Sequence, residues 1–369
     1  MSTRQRQVPL AGARRRDATQ WARSSRSSVT TPSSRRPITQ RGIAQLAEVS
    51  VTTVSRVLSS DGDESLQWAS PGKVALIREI AELHGYRRNP HAASLRTARS
   101  NQIGVIVPRL QDYVLATIYE GIDEAATEQG ISTFVTNSLD DVAKQRTRTQ
   151  QMLDRRVDGI IFGDAHLDDP FLEELAEDGV PFVLTSRRKP PFVSVTCDDY
   201  EGGRLVGQHL IEIGRTDVLI LAGLAFASTA RDRTQGLVDR FREAGIDVPQ
   251  DRIIFRGFDA AAGREATVEA LAAGITPNAV FATNDFAAIG GLGVLISAGY
   301  SVPEDVALVG YNDTPLAESV GIPLTTIRSP MHEMGREALL RLTKLIAGEA
   351  QEATTLPPEL LVRASTTVR

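Results

Sequence analysis

The chain has 369 residues, 41% hydrophobic and 24% charged, enough for two or three domains with substantial cores. A single cysteine, Cys197, excludes an internal disulfide, and no run of 18 or more apolar residues is available to span a bilayer. The formal net charge of −5 hides an asymmetry: residues 1–100 carry 17 Lys and Arg against 7 Asp and Glu, so one end suits a polyanion while the remainder is acidic.

Residues 1–36 are dominated by Arg, Ser, Thr and Gln. Too few large apolar side chains are present to offset the entropy of ordering, which predicts a disordered basic arm. No apolar stretch of the kind an export signal needs follows its arginines, and the expected location is the cytoplasm.

Short helical patterns occupy 37–88. In RGIAQLAEVSVTTVSRVLSS, residues 41–60, Ile43, Ala44, Leu46 and Ala47 supply the apolar face of a first helix. Glu48 and Val49 make a turn, Ser50 is a good N-cap, and residues 51–58 form a second helix with Val54, Val57 and Leu58 facing inward. Four hydroxyls, Ser50, Thr52, Thr53 and Ser55, crowd this window, more than packing alone requires. A third helix starts at Ser70 and Pro71, runs through Val74, Ile77 and Ala81, and closes on Gly85. The pattern is helix-turn-helix, a motif that places the start of its second helix in a DNA major groove.

From residue 103 the pattern changes. The apolar runs 103–108, 132–137, 159–163, 181–185, 218–223, 279–283 and 306–311 alternate with amphipathic segments that close on glycine, such as GLVDRFREAG. Such alternation predicts βαβ units and parallel sheets covered on both faces, and seven strands over this length suit two doubly wound lobes. The expected fold is therefore an N-terminal all-α helix-turn-helix domain followed by an α/β core of two doubly wound lobes.

Enzyme signatures are missing. The first strand is not followed by G-x-G-x-x-G, and there is no phosphate-binding G-x-x-x-x-G-K-[ST] or G-x-S-x-G elbow. The glycines of AIGGLGVLISAG lie inside a helical pattern, where packing explains them. The histidines at 84, 91, 166, 209 and 332 lack metal-ligand spacing, His84 reads as structural, and Cys197 has no basic sequence neighbour to activate it, so it reads as a buried structural thiol.

At IAQLAEVSVTTVSRVLSS, followed by IAELHGYRRNPHAASLRT, the sequence resembles the lactose-repressor family of bacterial transcription regulators, whose members begin A-x-L-A-G-V-S-x-x-T-V-S-R-V-L and continue G-Y-R-P-N-x-x-A-x-x-L. The likeness extends through VPFVLTS, DDYEGGRLVGQHLIEIGRTDVLILAG, ARDRTQG, ATNDFAAIGGL, VPEDVALVGYND and PLTTIR, covering 38–369. It implies a homodimer on double-stranded operator DNA and a periplasmic-binding-protein-like core that takes a small-molecule effector, with no cofactor and no membrane partner. By position, Val51, Thr52 and Arg56 match base-reading residues, while Ser50, Thr53 and Ser55 match phosphate contacts. Arg56 is the best base-reading candidate, since a guanidinium can bond both acceptors of a guanine. NPHAASLRT resembles the family's hinge helix, with Asn89 in the matched segment and Ala92 and Leu95 presented to the minor groove, Leu95 as the wedge.

In the core the resemblance assigns the effector to Asp112, Ser186, Arg231, Arg233, Phe258, Asp285 and Asn312. Arg233 is the preferred arginine, Asp285 and Asn312 lie opposite it, and Phe258 stacks on the ligand; an Arg and an Asp facing one cleft could instead form an ion pair between lobes. Expected boundaries are 1–36 for the arm, 37–88 for the helix-turn-helix, 89–100 for the hinge and 101–369 for the core. Lobe one takes about 101–198 and 328–346, and lobe two about 199–327 and 347–369.

The chain departs from the family in places. Glu48 stands where the turn usually has Gly, the 59–70 loop is longer than usual, and Arg88 replaces a Pro. DYVL at 112–115 stands for N-P-F-F and Ser186 for a common Asp, which leaves the effector open. A solute-delivery protein of the same core fold is the alternative, disfavoured by the first 100 residues. No leucine-heptad extension suggests a tetramer.

Overall fold

The computed structural model describes residues 38–60, 62–86 and 99–367. The expected arm, and the hinge positions Asn89, Ala92 and Leu95, lie outside the described residues. The chain divides into two compact units, Met1–Asn89 and Pro90–Arg369.

In the first unit, α1 (Gln40–Ala47) and α2 (Val51–Val57) are followed by a 3-10 turn, Gly62–Gln67, and by α3 (Pro71–Leu83). Thr39 caps α1 by accepting from the Gly42 amide, and Ser50 caps α2 by accepting from the Thr53 amide at 3.0 Å. Ser70 occupies the α3 N-cap without a side-chain cap bond, Pro71 taking the first helical position as expected. Ile43, Ala44, Ala47, Val54, Val57, Val74, Ile77, Ile80 and Ala81 form one small core. Leu46, expected inside, is 54% exposed: the α1 stripe is narrower than its apolar composition suggested. Glu48 takes the left-handed conformation, φ 52°, at the end of α1, so it fills the place that suits glycine at some backbone cost.

The second unit holds two lobes. Lobe one runs β1 (Gln102–Val107), α4 (Tyr113–Glu128), β2 (Ser132–Asn137), α5 (Val142–Asp154), β3 (Gly159–Phe162), α6 (Phe171–Glu177), β4 (Phe182–Thr185) and β5 (Ser194–Cys197). Lobe two follows with α7 (Asp199–Glu212), β6 (Val218–Ala222), α8 (Ser228–Glu243), β7 (Ile253–Phe255), α9 (Ala260–Ala272), β8 (Ala279–Ala282), α10 (Asp285–Ser297), β9 (Ala307–Asn312), α11 (Pro315–Ser319) and β10 (Thr325–Arg328). The chain then returns to lobe one as α12 (Met331–Ile346) and β11 (Thr354–Leu356), and ends in lobe two with β12 (Glu359–Leu361). All seven expected strands are present; β5, β7, β10, β11 and β12 are additional.

The sheets have strand orders β11-β5-β4-β3-β1-β2 and β12-β10-β9-β8-β6-β7, parallel throughout except for β12 against β10. They are copies of one doubly wound plan. One boundary needs correction: 347–369 was expected in lobe two, but Thr354–Leu356 pairs with β5 as the edge strand of lobe one. Too short to show alternation, it extends a sheet edge that the apolar pattern does not reveal. The chain therefore crosses between lobes after β5, after β10, and at Pro357 and Pro358.

Three helix pairs pack on reciprocal glycines. A Cβ on Gly121 of α4 would overlap the His332 carbonyl of α12, and one on Gly335 would overlap Ile118. Gly203 and Gly236 do the same for α7 and α8, and Gly263 and Gly290 for α9 and α10. Packing thus explains Gly290 of the glycine-rich helix, whereas Gly293, exposed in the same helix, faces open space. Gly335→Ala should cost about 1–3 kcal/mol by overpacking, while Gly293→Ala should stabilise by up to about 1 kcal/mol through helix propensity. Urea denaturation of the two variants checks this, and the reverse order would contradict the close crossing.

Asp164, just past β3, is 0% exposed, and among the described residues neither carboxylate oxygen has a hydrogen-bond partner. Burial pushes its pKa up to about 6, against about 3.9 in an unfolded chain. Because the folded value is the higher one, its contribution to stability is complete below pH ~4 and is lost as pH rises through ~6, about 3 kcal/mol in all. Asp164→Asn should therefore reduce the fall in urea midpoint between pH 5 and pH 7.5. An unchanged fall would show that Asp164 is not the group responsible.

Candidate functional site

The exposed face of α2 carries the predicted base-reading set. Val51, Thr52 and Arg56 are all exposed, while Val54 and Val57 of the same helix are fully buried in the core. Helical spacing separates the two groups. Ser50 and Thr53 hydroxyls lie 2.8 Å apart and bond to each other, and Ser55 is half-buried, its carbonyl accepting from the Ser59 hydroxyl. Lys73 of α3 donates to the Ala47 carbonyl at 2.6 Å, fixing α3 to the end of α1. The Arg56 guanidinium carbon sits 3.9 Å from the centre of the Trp68 ring, a contact that sequence reasoning missed because Trp68 belongs to the extended loop.

Between the lobes of the second unit lies a cavity of about 510 Å³. It opens at the carboxyl ends of the strands, where the strand order reverses on either side of β1 and β6, the position at which open parallel sheets bind ligands. Asp112, Ser186, Arg233, Phe258 and Asn312 all line it, as the sequence led us to expect. Leu139, Asp140, Ser186 and Asn312 line it with positive φ despite not being glycine, between 55° and 103°. Backbone strain of this kind concentrates where function requires a side chain to be held in place.

Asp112 caps α4, accepting from the Val114 amide at 2.9 Å, and burial raises its pKa despite that bond. Arg233 is 5% exposed. It donates to Asp199 at 2.8 Å and to the Thr283 carbonyl at 2.7 Å, and lies 3.7 Å from the Tyr311 ring centre. Asp199 is pushed up to about 6 by burial, against the pull of Arg233. The Asn312 side chain accepts from Ser329 at 3.2 Å, so a cavity residue is tied to the second lobe crossing. The Phe258 ring packs against Gly223, where no Cβ would fit.

Two predicted residues do not line the cavity. Asp285 is 0% exposed and turned into lobe two, where it accepts from the Thr326 hydroxyl at 2.6 Å and the Thr314 amide at 2.7 Å. At the first position of α10 it braces neighbouring loops, and the acidic partner of Arg233 is Asp199 instead. Arg231 is exposed and pairs with Asp168 of lobe one at 2.9 Å, two residues along α8 from each of the cavity-lining Thr229 and Arg233. The Arg–Asp pairs between lobes are Arg231 with Asp168 and Arg188 with Asp232, the latter bidentate at 2.7 and 2.8 Å.

Arg187, next to the predicted Ser186, was missed. It is 4% exposed, donates to Asp140 at 2.6 Å, and reaches within 6 Å of Phe226 and Phe258 of lobe two. Phe226 stacks on His166 of lobe one with centroids 3.9 Å apart and planes 6° from parallel. Burial and the nearby Arg187 lower the His166 pKa, favouring the neutral ring. The sequence does not distinguish the two arginines of the RRK run, and only the fold shows that Arg187 turns inward to Asp140 while Arg188 turns to the other lobe. The cavity thus offers charged donors from both lobes, aromatic faces and backbone-fixed amides, a set suited to a hydroxyl-bearing ligand. Among the described residues no cluster of three or more His, Cys, Asp or Glu could hold a metal. Cys197 is buried, its thiol pushed up to about 12 by burial and 3.9 Å from the Tyr311 hydroxyl.

Residues 208–366 match the family of periplasmic binding protein-like domains. Over 334 residues the chain is 31% identical to the HTH-type transcriptional regulator DegA of Bacillus subtilis (strain 168), spanning 88% of this chain and 96% of that one. It is 30% identical over 332 residues to the HTH-type transcriptional repressor PurR of Pasteurella multocida (strain Pm70), spanning 89% and 98%. Among solved structures it is similar to the lac repressor dimer bound to operator and the anti-inducer ONPF, at 27% identity and TM-score 0.80 over 90% of this chain and 100% of that one. It is also similar to the transcriptional regulator CelR–cellobiose complex, at 29% identity and TM-score 0.68 over 89% and 99%. The chain belongs to the LacI family of DNA-binding transcriptional regulators.

Proposed function

We propose that this chain is a cytoplasmic repressor that binds a pseudo-palindromic operator as a homodimer and is controlled by a small hydroxyl-bearing metabolite in the cavity of its core. The observation that carries the DNA reading is α2, whose Val51, Thr52 and Arg56 are uncovered while its opposite face closes a complete core. In this reading Arg56 reads a guanine and Ser50, Thr53 and Ser55 face phosphates. In the hinge segment Asn89 contacts DNA, and Ala92 and Leu95 serve the minor groove at the operator centre.

Asp112, Ser186, Arg233, Phe258 and Asn312, joined by Arg187 and Asp140, hold the effector. Support comes from their convergence on one cavity and from the Asn312–Ser329 bond, which gives a ligand a direct purchase on a lobe crossing. Coupling between the two sites of about 1–3 kcal/mol corresponds to a 5- to 150-fold change in operator affinity.

Genome-wide capture of DNA bound by the full chain should return a palindromic motif, and Arg56→Ala should weaken one base pair per half-site. A motif that is unchanged in the variant would remove Arg56 from base reading. A thermal-shift screen of sugars and related metabolites should find a ligand that stabilises by about 2.7 kcal/mol at a hundredfold excess over Kd. Arg187→Ala should abolish that shift, and an intact shift would place the ligand elsewhere.

A further inference from the structure

The described part of the loop between α2 and α3 folds back on itself and on α3. Its 3-10 turn Gly62–Gln67 buries Ser65, whose hydroxyl donates to the Gly62 carbonyl at 2.7 Å. Arg78 of α3 clamps it from the other side, donating to the Ser60 carbonyl at 3.2 Å and to the Ser65 hydroxyl at 3.3 Å. The Trp68 amide closes on the Ser65 carbonyl at 3.2 Å, so the indole projects from a fixed base and stays 40% exposed. Arg56 of α2 lies on that ring. Among the described residues, no carboxylate pairs with Arg56.

A contact of this kind leaves the N–H edge of a guanidinium available, the edge a guanine would take, and among the described residues no hydrogen bond from Arg56 engages it. A long, flexible arginine is thereby restricted in its rotamers before any DNA arrives, so less side-chain freedom is lost on binding. We propose that Trp68 is a positioning residue for base recognition, holding Arg56 in its reading pose. This rests on the reading above that Arg56 contacts a base, and it gives the lengthened loop a role in specificity.

The test uses the full-length chain and fluorescence anisotropy on two duplexes, the captured operator and the same operator altered at the base pair that Arg56→Ala ceases to read. Trp68→Ala should weaken operator binding by roughly 3- to 30-fold and lose discrimination between the duplexes. Trp68→Phe, which keeps a π face, should recover most of both, and Trp68→Leu, which keeps apolar bulk without a ring, should behave like Ala. In the Arg56→Ala background, Trp68→Ala should add nothing, because the two act as one unit. Matched thermal melts show that each variant is folded.

Full discrimination by Trp68→Leu overturns the proposal, as does tighter binding, which would mean that the ring parks the arginine away from DNA. An added loss in the double variant also overturns it, since Trp68 would then act on DNA or on the fold independently. If the wild-type chain selects no sequence at all, the regulator reading itself fails, a result separable from any behaviour of the Trp68 variants.

Discussion

A guanidinium at 5% exposure is the group around which the core is arranged. Arg233 cannot be left without partners in a low-dielectric interior. Its requirements bring together Asp199 at the start of α7, the Thr283 carbonyl after β8 and the face of Tyr311 on β9. Each lies on a different element of lobe two, so satisfying one side chain sets where three elements end. Those ends form the floor on which Phe258, Asn284 and Asn312 meet the cavity. On the opposite wall Arg187 and Asp140 repeat the device from lobe one.

The two lobes follow one strand order, and each puts its loops at the same end of its sheet. Duplication of the plan makes the cavity a meeting of two switch points. Reciprocal glycines bring the covering helices to backbone contact, leaving little slack inside a lobe. Relative motion is left to the segments between lobes, where Ser329 and the proline pair 357–358 stand. Asn312 is bonded to the first of these and faces the cavity, so binding and lobe orientation share a residue.

Long-range order in the sequence was largely legible because buried parallel strands are continuous apolar runs and helices close on glycine; all seven such runs are strands. Edge strands β7, β11 and β12 are three residues each, too short for a period to show. Asp112, Ser186, Arg233, Phe258 and Asn312 could be placed at the cavity because they match positions of the family the chain resembles. Asp285 was misplaced because a carboxylate one residue after a strand loop can face the cavity or the lobe interior, and only its bonds to Thr314 and Thr326 decide. Arg187 and Trp68 were missed because a basic run and a lengthened loop carry no sequence sign of the contacts their side chains make.

Cys197 is the only thiol in the chain, at 3% exposure, and burial holds it protonated at any physiological pH. It sits at the first crossing, against Tyr311 and therefore against the far lobe. Its alkylation rate is accordingly a native clock for separation of the lobes at that point, readable without any engineered label. For the same reason a cysteine introduced elsewhere would be modified selectively, and the chain comes ready for spectroscopic probes on a chemically silent background.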